Sequence, residues 1–328
     1  MKWKSHLLSS SLPLEFEVSK QLVRAGAFVF DEYSYIRRDN AVDKEFSVDL
    51  HALLFTPFES INTPVCALNA LVECKFRHPN TTWLFLPKQR SRTHFPGFPA
   101  SVVKSFDDFS PWFTHHDTLP IDRKLQICAK GVEIDTNNNS VHSSEIRHGL
   151  TQLQFAIPKL IGSQVRSLTN MPLPELPPLL VVTVLVTNAP LYIASQRFST
   201  KLIESATEPT ALGRRVPFLS VDAGAGPELE RHAVSAFADL PSLVATPNFK
   251  TLDMQLEMAG VSAWFRPQAV ADRAARGSEW QHEYRRIIVC NSSAFPLCLR
   301  LIKESLLQLR NTMSREPRSH MRTPGSAA

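Results

Sequence analysis

Ala67-Leu68-Asn69-Ala70-Leu71-Val72-Glu73-Cys74-Lys75-Phe76 ends a nearly apolar run with two charges. Its length and its Leu/Val content predict a strand over 67–76. Side chains alternate along a strand, so Glu73 and Lys75 share one face while Cys74 takes the other. A lysine in such a run needs carboxylate partners, because a buried ammonium is costly. A partner stands upstream, in Phe46-Ser47-Val48-Asp49-Leu50-His51-Ala52-Leu53-Leu54. As a strand over 46–54, this stretch puts Phe46, Val48 and Leu50 on one face and Ser47, Asp49 and His51 on the other. If the two strands pair in register, Asp49 and Glu73 converge. Two carboxylates make a hard oxygen site of the kind that suits Mg²⁺ or Mn²⁺. Glu-x-Lys alone is a common exposed charge pair. The apolar residues around it, and an aspartate in a preceding Val-Asp-Leu strand, set this one apart.

Working outward, residues 11–24 read as a helix. Ser11 stands where a cap would, Pro13 lies in the first turn, and Leu14, Val18, Leu22 and Ala25 form an apolar stripe ended by Gly26. A strand is expected over 27–36, a polar turn over 37–45, and a connection over 55–66. Residues 77–140 are rich in proline, aromatics and asparagine. They are read as an insertion, since structureless loops of that length are rare in compact domains. A helix follows over 145–168, where Pro158 is expected to introduce a kink. Residues 171–178 must be extended. The apolar run Leu179–Val186 is too short to span a bilayer as a helix and suits a strand buried on both faces. Residues 197–283 are mixed. A short strand at 287–290 and an amphipathic helix at 295–309 close the fold, and the tail, with Arg315, Arg318 and Arg322, reads as disordered.

This order of elements predicts an α/β protein with a mixed central sheet flanked by helices. Residues 1–195 form its core with an insertion at 77–140. Residues 196–311 form a C-terminal α/β extension packed on that core, and 312–328 a disordered basic tail.

The chain has 328 residues, 43 % of them apolar, and a net charge of +5. That balance permits a polyanionic partner without demanding one. Its five cysteines are odd in number and form no Cys-x-x-Cys pair, which argues against a disulfide framework and a structural zinc cluster. The first fourteen residues make a poor signal peptide. A soluble, cytoplasmic protein with no membrane partner is expected.

The sequence resembles the PD-(D/E)xK, restriction-endonuclease-like nuclease superfamily. The resemblance is carried by the helix Leu14-Glu15-Phe16-Glu17-Val18, Gly26, the strand Phe28 to Tyr35, Ser47-Val48-Asp49-Leu50 and Leu71-Val72-Glu73-Cys74-Lys75. It covers residues 12–76, and more loosely the helix and strand at 145–187. Val48 stands where the family's proline would. The resemblance implies Asp49 and Glu73 as ligands of Mg²⁺ or Mn²⁺, the backbone carbonyl of Cys74 as a third, and Lys75 as the catalytic lysine. It also implies a helix glutamate near the metal. Glu17 shares its face with Lys20, Gln21 and Arg24, whereas Glu15 borders the core stripe, so Glu15 is the candidate. Nucleases of this type carry a glutamine on the following helix. Gln154 lies with Leu150, Ile157 and Ile161, and is chosen over Gln152, which lies with Glu145 and His148.

Between Cys74 and Phe106 there is no acid, while Lys75, Arg77, Lys88, Arg90, Arg92 and Lys104 are interleaved with His78, Trp83, Phe85 and His94. This run is read as a substrate surface, with Arg77, Lys88, Arg90 and Arg92 as phosphate contacts. The Gly224-Ala225-Gly226 loop, the His115-His116-Asp117 cluster and Asp107-Asp108 are set aside as loop features. Thr187-Asn188-Ala189-Pro190 is read as a strand stop. The expected function is a metal-dependent nuclease acting on nucleic acid, DNA before RNA, with a homodimer left open. The alternative is a catalytically inactive nuclease-fold module that binds nucleic acid.

Overall fold

The computed structural model describes residues 2–39, 42–56, 66–88, 101–106, 109, 118–171, 178–277 and 279–311. In chain order the elements are α1 (Lys2–Ser9), α2 (Leu12–Arg24), β1 (Phe28–Phe30), β2 (Tyr33–Asp39), β3 (Val42–Val48), β4 (Leu50–Phe55), β5 (Ala67–Lys75), β6 (Thr81–Pro87) and β7 (Val103–Phe106). They continue with α3 (Pro120–Lys124), β8 (Ile127–Asp135), β9 (Ser140–His142), α4 (Ser144–Leu168), β10 (Leu179–Thr187), β11 (Leu191–Ala194), α5 (Thr200–Ser205), β12 (Gly213–Val216) and β13 (Phe218–Asp222). The last are α6 (Pro227–Phe237), α7 (Leu240–Leu243), α8 (Pro247–Met258), α9 (Pro267–Ala275), β14 (Arg286–Asn291) and α10 (Phe295–Asn311).

A mixed sheet organises the described residues, in the order β1-β4-β5-β10-β14-β13-β8-β6-β11-β12. β1, β4 and β5 form an antiparallel meander, and β10 joins β5 in parallel. β10 is its spine: all nine residues are buried. Alternation sends Leu179, Val181 and Leu185 into one core with α4, α6 and α9, and Leu180, Val182, Val184 and Val186 into another with α2 and α10. A strand covered on both faces must be apolar throughout, which is why this segment was so plain in the sequence.

Helix α2 buries Leu14, Val18 and Leu22 as expected. Ser11 occupies the capping position, but its side chain makes no capping hydrogen bond. Gly26 ends the helix with φ +83°, and Ala27 N–H reaches back to the Leu22 carbonyl. A residue with a Cβ would be strained there, so glycine marks the stop.

Three expectations need correction. The strand expected over 27–36 breaks at Asp31-Glu32, and the polar stretch 37–45 is no simple turn: Tyr33–Asp39 and Val42–Val48 pair in register as a separate antiparallel ribbon. Nor does 46–54 run as one strand. It breaks at Asp49, so Val48 joins the core beneath α4 while Leu50 joins the core beneath α2. Phe46, Val48 and Leu50 therefore do not share a face. Finally, the described parts of 77–140 are not set apart from the core, since β6 and β8 are internal strands and Trp83 and Phe85 are fully buried. Polar linkers and masked alternation hid these strands from a periodicity reading.

Strands from beyond residue 196 also enter this sheet, β14 beside β10 and β13 beside β14. The five cysteines are buried. Among the described residues, no helix is long and apolar enough to cross a membrane.

Candidate active site

The break at Asp49 builds the site. Where β3 leaves the sheet to pair with β2, the Asp49 carboxylate turns onto β5 and its Oδ2 accepts the Cys74 backbone N–H at 2.6 Å. This places Asp49 beside the Glu73-Cys74-Lys75 backbone by a side-chain bond instead of a continued ladder. On the facing strand, Glu73 is 1 % exposed. Its Oε1 lies 2.7 Å from the Lys75 ammonium, while its Oε2 is buried with no hydrogen-bond partner. Asp49 thus meets the backbone of the strand whose Glu73 and Lys75 pair with each other.

Helix α4 closes the site from above. Gly149 lets it approach: a Cβ there would sit 2.7 Å from Leu185 Cδ1 and 3.5 Å from Glu73 Cγ. One turn further on, Gln152 bridges the elements. Its Oε1 accepts from Lys75 Nζ at 3.3 Å, and its Nε2 donates to the Ser47 carbonyl at 2.9 Å. Tyr35 Oη donates to the Gln152 carbonyl at 3.1 Å. Glutamine 154 points elsewhere. It donates to the carbonyls of Ala223, Gly224 and Tyr284, and so ties α4 to the β13 and β14 ends. The selection of Gln154 over Gln152 is thus corrected. The apolar stripe that carries Gln154 leads into the core, whereas the polar face with Glu145 and His148 looks onto the site. That polar face was the signal.

Glu15 is half-buried on the first turn of α2, and Glu17 is exposed. Burial, followed by the charge of Asp49, raises the Glu15 pKa above the usual carboxylate value, and Lys75 opposes the shift. Burial also raises Asp49, against the Cys74 N–H bond and the Lys75 charge. Glu73 is pushed up to about 7 by burial and by the charge of Asp49, and Lys75 together with a hydrogen bond from the Asp49 backbone only partly offsets this. The exposed Glu32 adds to the negative potential at both Asp49 and Glu15. His148, near Lys75, is lowered by burial and by that ammonium. Among the described residues, three carboxyls with raised proton affinity share one lysine, so these groups carry more negative charge than that lysine neutralises.

Comparison with protein-family models, with curated proteins and with solved structures returns no match to this chain.

The expected substrate surface fares differently. Arg77 is ion-paired with Glu133, at 2.7 Å, and with Glu145. Its backbone is clamped by Asn188, which accepts from Arg77 N–H at 2.6 Å and donates to its carbonyl at 2.7 Å. Asn188 therefore extends the β5–β10 ladder with a side chain and does more than stop a strand. Lys88 is paired with Asp222. Lys104 is fully buried, with Nζ donating to Arg286 O at 2.7 Å, Thr183 Oγ1 at 3.1 Å and Val102 O at 3.3 Å. It tracks no phosphate, and Trp83 and Phe85 cannot stack on a base. Trp83 instead donates to Glu133 at 2.8 Å. Arg90, Arg92, His94, Asp107-Asp108, His115-His116-Asp117 and the tail lie outside the described residues.

The donor set fits a hard divalent cation in chemistry: carboxylate oxygens, excess negative charge and the orphaned Glu73 Oε2. Among the described residues, however, no three His, Cys, Asp or Glu side chains already stand close enough together to hold an ion. Only Oδ2 of Asp49 is taken by the Cys74 N–H.

Proposed function

We propose that the chain is a Mg²⁺- or Mn²⁺-dependent nuclease of the PD-(D/E)xK kind, acting on nucleic acid and on DNA before RNA. The observation that carries the reading is Glu73: almost fully buried, its Oε1 paired with Lys75 and its Oε2 unsatisfied, beside Asp49. A buried polar atom without a partner is costly and is rarely kept without use. The order α2, β1-β4-β5, α4 and a parallel β10 also supports it, since the resemblance implies a helix, three strands, a helix and a strand.

In this reading Asp49 and Glu73 hold the cation, with the Cys74 carbonyl as a further oxygen. Glu15 sustains the negative potential from α2. When bound, the ion supplies a more acidic water and charge neutralisation at the scissile phosphate. Lys75, fixed between Glu73 and Gln152, orients the attacking water and stabilises charge that develops on phosphate oxygens. Tyr35 and Ser47 hold Gln152 and so position Lys75 without touching substrate.

The test is cleavage of labelled single- and double-stranded DNA and RNA with Mg²⁺, with Mn²⁺ and with EDTA. The parent cuts only with the cations. Asp49→Asn loses cation affinity by calorimetry, while Lys75→Ala keeps it and loses cleavage by at least about 100-fold. No cutting of any substrate by the parent, in either cation, defeats the proposal. The inactive module is the second reading, favoured by the Asp49 bond to Cys74 N–H. Its mark is a divalent ion bound at Asp49 without cleavage.

A further inference from the structure

Helix α4 carries one more polar residue over the site. Glu145, His148 and Gln152 follow one another at spacings of three and four, so they share a face. Both neighbours of His148 on that face reach the end of β5: Glu145 pairs with Arg77, and Gln152 Oε1 accepts from Lys75 Nζ at 3.3 Å. Between them lies Gly149, where a Cβ would stand 3.5 Å from Glu73 Cγ. Side chains on a helix lean toward its N-terminus, so Gln152 extends over the turn that holds His148 and draws the Lys75 ammonium toward it.

The ring itself is unengaged. His148 is exposed, and among the described residues it makes no hydrogen bond or ion pair. The charged groups that face it are Lys75 from β5, Arg37 from β2 and Glu145 from its own helix. Burial, then the Lys75 charge, lowers its pKa from 6.5; Glu145 opposes this and Arg37 adds to it. The imidazole is therefore neutral near pH 7, with a lone pair on one ring nitrogen. Hydrolysis at Lys75 needs just such a group, because the attacking water must give up a proton. An ammonium has no lone pair and cannot take it. Asp49 and Glu73 are committed to the cation.

We propose that His148 is the general base of the nuclease reaction and takes the proton of the water that Lys75 orients. As the water oxygen bonds to phosphorus, its proton passes to the free ring nitrogen. The bond from phosphorus to the leaving oxygen breaks, and that oxygen keeps the electron pair and takes a proton from solvent. The imidazolium then returns its proton to solvent. The assignment rests on the nuclease reading.

The experiment compares the parent with His148→Ala and His148→Gln on labelled DNA with Mg²⁺. Both variants are expected to lose kcat by about 100- to 10,000-fold, with KM and the calorimetric affinity for Mn²⁺ little changed. Added imidazole restores part of the His148→Ala rate and none of the Lys75→Ala rate, and such rescue shows that the variant is folded. A thymidine phosphodiester with a p-nitrophenolate leaving group, which needs no proton, keeps the defect. A second readout needs no turnover. In EDTA, the His148 ring resonance, assigned by its absence from His148→Gln, titrates below 6.5 in the parent and at higher pH in Lys75→Met, because an opposing positive charge is gone. The base is overturned if His148→Ala cleaves like the parent, if imidazole restores nothing, or if the resonance ignores Lys75. It is equally overturned if the p-nitrophenyl substrate erases the defect, which would make His148 an acid to the leaving oxygen, or if Mn²⁺ affinity falls with the ring, which would make it a cation ligand. A parent that cleaves regardless of His148 loses the base and keeps the nuclease. A parent that cuts no nucleic acid loses the nuclease reading and the base with it.

Discussion

Replacing Glu73 by Gln should stabilise the protein more as pH rises, even as it removes a cation ligand. Burial and the neighbouring Asp49 push the carboxyl up to about 7 in the folded chain, from an ordinary value of 4.5. Between these values the unfolded chain has released the proton and the folded chain still holds it. The folded state thus binds more protons, and stability falls as pH rises from about 4.5 to about 7. A shift of this size corresponds to roughly 3 kcal/mol, fully expressed above pH 7. Solvent screening takes little from that figure, since Glu73 is 1 % exposed. The amide cannot ionise and carries no such penalty. It also leaves Lys75 without its ion pair, a cost that sets the absolute stability difference but hardly its pH dependence. The assay is urea unfolding of parent and Glu73→Gln in EDTA at pH 5 and pH 8. The stability of the variant relative to the parent should rise between these pH values by up to about 3 kcal/mol. Added Mg²⁺ should then stabilise the parent at pH 8 and leave the variant unmoved. A variant equally destabilised at both pH values would refute the reasoning, because Glu73 would then be a settled partner of Lys75 and not a carboxylate awaiting a cation.

Gln152→Ala should lower cleavage with a small effect on stability, because it frees Lys75. Gln154→Ala should cost about 1–3 kcal/mol in unfolding while leaving the cleavage rate of the folded protein intact, because three backbone carbonyls lose a donor. Lys104 is lowered to about 7 by burial, so between that value and 10.5 the unfolded chain holds a proton that the folded chain lacks, and stability rises with pH across this window. Lys104→Met should abolish that rise, so its advantage over the parent shrinks by on the order of 4 kcal/mol from pH 7 to pH 10, measured by denaturant unfolding.

The fold was legible where one physical demand ruled a segment. β10 is buried on both faces and reads as an unbroken apolar run, and α2 buries one stripe and stops at Gly26. It was illegible where two demands competed. The polar residues 37–39 and 42–45 belong to a two-stranded ribbon separate from the main sheet, and their lack of apolar alternation imitates a turn. β6 and β8 lie in a stretch crowded with proline and asparagine, yet they belong to the sheet interior because Trp83 and Phe85 are buried against strands far away in sequence. No local pattern carries a pairing such as β13 with β8.

The same division explains the site. Glu73 and Lys75 were readable because a charged pair in an apolar strand is an exception to burial that calls for partners. Asp49 was readable as a residue but not as a geometry. A continuous strand would have placed it by alternation, whereas the chain breaks there and the carboxylate takes the Cys74 N–H. That break does two things at once. It releases β3 to form the ribbon whose Tyr35 and Ser47 hold Gln152, and it brings a second carboxylate beside Glu73. A site assembled in this way depends on a polar helix face, not an apolar one. The helix glutamine that matters is therefore the one whose neighbours at helical spacing are Glu145 and His148, and the apolar company of Gln154 was a reason to place it in the core.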